Sequence, residues 1–306
     1  MVMLKPISHL LHSFLFLVLI GTFSSMVYFI RNEPDVSAAP AAMPPMPLTP
    51  VRTPTPTSVP AVSALPLPSA SPVPLDSPDW SLIRPGLERR VIEVYNNQNQ
   101  PVETVYIWRL DQKHFRLDIA YEDTPKSLDA WQRETNALMV VNGGYYSISN
   151  ETYYYPDGLT IVDGQAFGRS FHRGGMLAIR DTGAELRWLE QEPYNAAEAL
   201  QAALQSFPML VEPGGGLGFG SERESYARAR RTVIAQDRNG RILFIVTPKG
   251  YFTLHQLSVY LTDSDLGLDM AINLDGGGST GILVAEPREL IAPTRPIPFV
   301  ILVHAR

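Results

Sequence analysis

The order of apolar and polar positions divides the 306-residue chain into three unlike stretches. Residues 7–30 form an almost unbroken apolar run without Lys, Arg, Asp or Glu. At about 1.5 Å of rise per residue, a helix of that length crosses a hydrocarbon layer of about 30 Å. A cleaved signal peptide has a shorter apolar core, roughly 7–15 residues. Residues 1–31 are therefore expected to form a retained N-terminal membrane anchor. The alternative is a secreted product, because Ser37-Ala38-Ala39 and Ala41-Ala42 offer a cleavage site just beyond the run. Lys5 precedes the run and Arg31 follows it, so flanking charge leaves its orientation open. No second run of that length follows, and the rest of the chain is expected on one side, outside the cytoplasm.

Residues 32–79 lose the apolar density and fill with Pro, Ala, Ser, Thr and Val. Repeated prolines such as Pro54, Pro56, Pro60, Pro66 and Pro68 remove backbone donors and favour extended segments. With little to bury, the stretch is expected to be a disordered, semi-stiff linker.

Residues 80–306 switch to short apolar runs broken by polar turns, long enough in total for one core. Strands are predicted over Arg90–Tyr95, Glu103–Arg109, His114–Tyr121, Leu138–Val141 and Leu159–Val162. Further strands follow over Met176–Ile179, Leu186–Leu189, Thr232–Gln236, Ile242–Thr247, Ala271–Leu274, Thr280–Val284 and Phe299–His304. Asp237-Arg238-Asn239-Gly240 reads as a hairpin turn. Three short helices are predicted, capped by Ser127 (to about Asn136), Asn195 (Ala196–Gln205) and Thr253 (Leu254–Leu261). Many strands with few helices predict an α+β domain on a mixed or antiparallel sheet.

Composition removes several chemistries. The absence of cysteine excludes disulfides, thiolate nucleophiles and thiolate metal sites. The net charge of −6 comes without a basic stripe, so no nucleic-acid partner is expected. The six histidines are scattered and show no zinc-binding spacing.

Glycine-rich segments carry the candidate chemistry. Asn273-Leu274-Asp275-Gly276-Gly277-Gly278-Ser279-Thr280 joins two predicted strands, unlike a P-loop or dinucleotide fingerprint, which requires a following helix. Its glycines let the backbone approach a ligand closely, and its amides can form an anion-binding concavity beside a carboxylate and two hydroxyls. An ordinary Gly-rich hairpin explains the same residues. Asn142-Gly143-Gly144-Tyr145-Tyr146 repeats the pattern, with an amide and an aromatic face suited to a sugar. Asp157-Gly158 follows Tyr153, Tyr154 and Tyr155, a composition suited to a carbohydrate-facing rim. Arg228, Arg230, Arg231 and Thr232 enter a strand, and an arginine fork matches phosphate. Most surface arginines are merely solvated, and Arg228 and Arg230 are read that way.

Taken in order, these segments resemble the phosphodiester glycosidase family. The resemblance rests on Val141–Tyr146, Asp157-Gly158-Leu159, Ala203–Val211, Arg230–Ala235, Ala271–Gly281 and the closing Ile297–Val303. It departs at Phe207, where relatives often have glycine, and at an expanded loop over residues 212–230. The resemblance implies a hydrolase acting on a sugar joined through phosphate, with a carbohydrate phosphodiester as its partner. The chemistry of the matched residues then assigns Asp275, Arg231 and Asn142 to catalysis. Gly143, Gly144, Tyr145, Asp157, Thr232, Asn273, Gly276, Gly277, Gly278, Ser279 and Thr280 would bind substrate. Arg231, the Gly276–Gly278 amides and Ser279 would hold the phosphodiester, and Asp275 would act as nucleophile, base or metal ligand. No cofactor is required. A hard cation such as Ca²⁺ is admissible, although no acidic string demands one. Two other classes fit the same segments: a non-catalytic module for phosphorylated glycans, and an envelope scaffold whose glycine loops are only turns.

Overall fold

A computed structural model describes residues 74–75, 80–150 and 152–306. The apolar run at 7–30 and most of the Pro-rich stretch lie outside the described residues. Among the described residues, no helix is long and apolar enough to cross a membrane.

Strands dominate, and among the described residues every pairing between strands is antiparallel, with one isolated parallel bridge between Gly158 and Arg169. The largest sheet has nine strands. Its centre is built by Leu87–Tyr95, Pro101–Leu110, Ile242–Thr247, Arg231–Asp237, Leu268–Asn273 and Met209–Glu212, in that spatial order. Pro74–Leu75, inside the stretch expected to be linker, pair with Glu93 and Val94 at its edge. A second sheet of five strands is centred on Ala202–Ser206 and Gly175–Arg180. A third, also of five, is centred on Met139–Asn142 and Ile297–Ala305.

One apolar cluster draws side chains from all three sheets. It includes Trp108, Phe244, Ile272, Leu177, Leu204, Val141 and Phe299. Burying whole sheet faces against one another stabilises the fold at about 25 cal/mol for each Å² of apolar surface removed from water. The helix Leu254–Thr262 covers the other face of the large sheet through Leu257 and Leu261. The helix Leu128–Thr135 covers the third sheet through Leu128 and Trp131.

Both helices start where capping chemistry predicts. The Ser127 hydroxyl accepts a hydrogen bond from Ala130 N. Thr253 and Gln256 form a reciprocal capping box. The third predicted helix is absent. Asn195 accepts from Ala197 N, but only turns follow, and Ala202–Ser206 is a strand. The helix-favouring Ala-Ala-Leu-Gln sequence yields to tertiary burial, since this segment pairs with strands on both sides. The predicted strand start at Thr280 also fails, because Gly277–Ser279 form a 3₁₀ turn and the strand begins at Ile282.

Topology decides the nature of the glycine-rich loop. The strand before it, Leu268–Asn273, belongs to the large sheet, and the strand after it, Ile282–Val284, belongs to the third. The two do not pair, so the segment is a crossover between sheets and not a hairpin. It lies where the ends of Met139–Asn142, Ala202–Ser206 and the start of Arg231–Asp237 meet.

Candidate functional site

Asp275 is the most constrained residue of that crossover. Its amide donates to Gly143 O at 3.1 Å, and its carbonyl accepts from Asn142 Nδ2 at 2.8 Å. The carboxylate accepts from Gly276 N at 2.8 Å and bonds the Ser279 hydroxyl. Burial nevertheless lifts its pKa to about 6, the loop bonds and nearby Arg295 only partly offsetting the desolvation. Asp157 adds a second negative charge close by and pushes the same way.

Arg231 opens its strand with 8 % of its surface exposed. It forms no ion pair among the described residues. One Nη donates to Ala227 O at 2.8 Å, while Nε is buried without a partner. Its stem passes Gly276, whose added Cβ would lie 3.8 Å from Arg231 Cδ. Burial lowers its pKa, with partial compensation from Tyr145 and Glu224. A guanidinium taken out of water without a counter-anion is costly to the fold and well suited to receive one.

Tyr145 is the wall between these groups. Its ring stacks on Phe207 with centroids 4.7 Å apart, so the departure at Phe207 builds part of the site. Its hydroxyl accepts from Asn273 Nδ2 at 2.6 Å. Burial raises its pKa, and the neighbouring Asp275 raises it further. Buried polar atoms without partners gather here: Arg230 Nε, Arg231 Nε, Asn273 Oδ1 and Thr280 Oγ1. Orphaned buried groups are rare in folded proteins, and four at one place are donors and acceptors open to water, an ion or a ligand.

Several predicted roles change on this geometry. Asn142 is fully buried, and its amide is spent within the protein. Nδ2 donates to Gly143 O and Asp275 O, while Oδ1 accepts from Thr232 Oγ1 at 2.7 Å and Gly281 N at 3.0 Å. Asn142 has no side-chain polar atom left for a sugar, and Thr232 is fully buried with its one hydroxyl proton given to Asn142. Both position the loops. Gly143 and Gly144 serve packing: an added Cβ would lie 2.5 Å from the Phe299 ring at the first and 3.2 Å from Gln205 O at the second.

The amide concavity is also smaller than predicted. Gly276 N is taken by the Asp275 carboxylate and Gly277 N by Arg230 O, leaving Gly278 N without a protein partner among the described residues. Gly277 is the one glycine of the three at positive φ, +58°. Ser279 is buried, with its Oγ 3.3 Å from Tyr146 OH. Asp157 is exposed, but Ser147 Oγ donates to it at 2.5 Å and its amide bonds Tyr145 O, which brings it to the rim.

Sequence reading missed Arg295. This exposed residue lies between two strands of the third sheet, and its guanidinium rests on Gly278. An added Cβ at Gly278 would lie 2.5 Å from Arg295 Nε. Nothing in the local sequence marks it, since only the crossover brings it to Asp275. Glu224, from the expanded loop, was also missed. It accepts from Thr253 Oγ1 and His255 N, tethering that loop to the helix Leu254–Thr262 beside Arg231.

Among the described residues, no group of three or more His, Asp or Glu side chains is placed to hold a metal ion. Asp275 shares its surroundings with Asp157 and with the Arg295 guanidinium, a mixed set that does not form an acidic cation cage.

The model of the phosphodiester glycosidase family matches residues 135–304, more than half of the chain. No curated protein sequence matches it. Among solved structures, the chain is similar to the auto-inhibited catalytic domain of zebrafish N-acetylglucosamine-1-phosphodiester alpha-N-acetylglucosaminidase. The TM-score is 0.57 at 15 % identity, covering 73 % of this chain and 85 % of that one. A hypothetical protein from Synechocystis gives 0.50 at 16 % identity, over 76 % of this chain and 64 % of that one. At these identities the likeness is one of fold.

Proposed function

Because the chain belongs to the phosphodiester glycosidase family, we propose that it hydrolyses the bond between a sugar's anomeric carbon and a phosphodiester oxygen. Membership supports a hydrolase of the glycosidase class; the assignment of residues and substrate is our reading. The observation that carries it is that Tyr145 neighbours both the buried Arg231, which has no ion pair among the described residues, and a carboxylate whose pKa is lifted to about 6. Arg231, Gly278 N and Arg295 would hold the phosphate and stabilise the charge that grows on it as it leaves. Asp157 and the Tyr145 edge would orient the sugar.

The bond balance is simple. The C1–O bond breaks and its electron pair leaves with the phosphate, a weak base that needs little help from a general acid. Water supplies the new oxygen on C1. Ionised Asp275 either takes a proton from that water or attacks C1 first, forming a glycosyl ester that water then opens. The anomer released first, read by NMR, separates the two routes. The zebrafish relative's name refers to N-acetylglucosamine-1-phosphodiester, and the apolar N-terminal run supports an envelope or extracellular glycan as the setting.

The test is hydrolysis of GlcNAc, glucose and mannose 1-phosphodiesters by the full chain and by Asp275→Asn. Sugar released by the wild type alone is the expected result. No release from any donor, by folded protein, would sink the hydrolase reading in favour of a glycan-binding module.

A further inference from the structure

Beyond the reacting groups, the hairpin of Tyr146–Ser149 and Tyr153–Pro156 leaves the site as a fixed arm. Tyr146 OH lies 3.3 Å from Ser279 Oγ, the Tyr146 and Tyr154 rings are in contact, and Tyr121 OH donates to Tyr154 O at 2.7 Å. Strand alternation then puts Tyr153 and Tyr155 on the opposite face from Tyr154. Register places Tyr155 opposite Ser147 and Tyr153 opposite Ser149. Ser147 in turn holds Asp157, so Asp157, Tyr155 and Tyr153 form a row running outward from Asp275.

The two outer rings are 47 % and 38 % exposed, lie 6.3 Å apart and are inclined by only 25°. Large aromatic faces left in water beside a site need a reason, and a sugar ring's C–H face is a natural occupant. A cavity of about 520 Å³ opens against this row, lined by Tyr155, Pro156, Asp157, Gly168 and Arg169. Its volume falls within the usual range of small-molecule sites, roughly 300–1,000 Å³. Charge fixes which part of the substrate lies here. Arg231 and Arg295 attract the phosphate to the crossover, whereas this cavity pairs Asp157 with Arg169, so it holds no net positive charge for phosphate and offers both an acceptor and donors to hydroxyls.

We infer that the Asp157–Tyr155–Tyr153 row is a subsite for further sugar units on the glycosyl side, so that the preferred substrate is an oligosaccharide 1-phosphodiester and not a monosaccharide one. This rests on the hydrolase reading of the same site. The experiment compares methyl phosphodiesters of a monosaccharide and its matching trisaccharide, in the GlcNAc, glucose and mannose series, using the full chain. In one series the trisaccharide donor is expected to have kcat/KM higher by roughly tenfold, through KM. Tyr153→Ala/Tyr155→Ala should erase that gain and leave the monosaccharide donor unchanged, while Tyr153→Phe/Tyr155→Phe keeps it. Equal turnover of both donors in every series, or equal loss on both in the alanine variant, overturns the inference. If no donor is cleaved, calorimetry with the free trisaccharides decides it separately. Binding that the alanine variant loses supports the subsite, and absence of binding to the wild type refutes it.

Discussion

Arg231 illustrates how one residue separates stability from function. A folded chain gains little from a guanidinium that is desolvated and has no ion pair, and substitution of such groups by apolar ones is often neutral or stabilising. Arg231→Met keeps the stem that passes Gly276 and removes only the charge and the fork. If that charge is there for phosphate, the variant should lose about 10²- to 10³-fold in kcat while its Tm stays the same or rises. Thermal denaturation alongside steady-state assays would show this, and a fall in Tm with activity retained would return Arg231 to a structural role. In the sequence it is one of three arginines entering a strand, assigned to phosphate while Arg228 and Arg230 are read as solvated, although no local signal separates the three. Burial does so: Arg228 is exposed over the Tyr251 ring, and Arg230 donates to Thr280 O and Ala292 O.

At the scale of elements, the site is held by strand ends from different sheets, and Asn142 is the joint between them. Its side chain connects the end of its own strand to Thr232 in the large sheet, to Asp275 O in the crossover and to Gly281 N at the crossover's exit. Asn142→Ala leaves buried donors and acceptors without partners, at a cost of about 3 kcal/mol. For a domain of this size that lowers Tm by roughly 6–12 °C. Scanning calorimetry measures it, and a change of a degree or less would show that the joint is dispensable. The contrast with Arg231→Met is the informative part, since the sequence offers both residues as catalytic candidates. The glycine-rich crossover and most strands were legible because β-branched runs and glycine clusters are local signals. The joint was not, because its partners lie 90, 133 and 139 residues away. Arg295 escaped notice for the same reason. Ala202–Ser206 was misread in the other direction: its composition favours a helix, and only the two flanking strands override it.

For the whole molecule, Asp275 couples the site to the stability of the fold. Its folded-state pKa of about 6 lies above the ordinary 3.8, so the native protein binds this proton more tightly than the unfolded chain does. The sign follows: stability from this group is fully present below about pH 4, falls as pH rises through 6, and is flat above. Ionising Asp275 at neutral pH therefore costs the fold about 2–3 kcal/mol. Carboxylates such as Glu198, whose bonds to Arg187 hold its pKa down against burial, act in the opposite sense, and they are common to wild type and variant. The difference between Asp275→Asn and wild type then isolates the one group. Chemical denaturation should find the two proteins nearly equal at pH 4 and the variant more stable by about 2 kcal/mol at pH 7.5. The same ionisation should appear in turnover as an ascending limb near pH 6, since the base or nucleophile must be charged to act. A variant no more stable than wild type at pH 7.5 would mean that the carboxylate is solvated, not strained. A limb that descends through pH 6 would instead make Asp275 a proton donor to the leaving phosphate and reverse its role. A stability gain together with an ascending limb would show that the fold holds, at a cost to its own stability, the charge that the reaction uses.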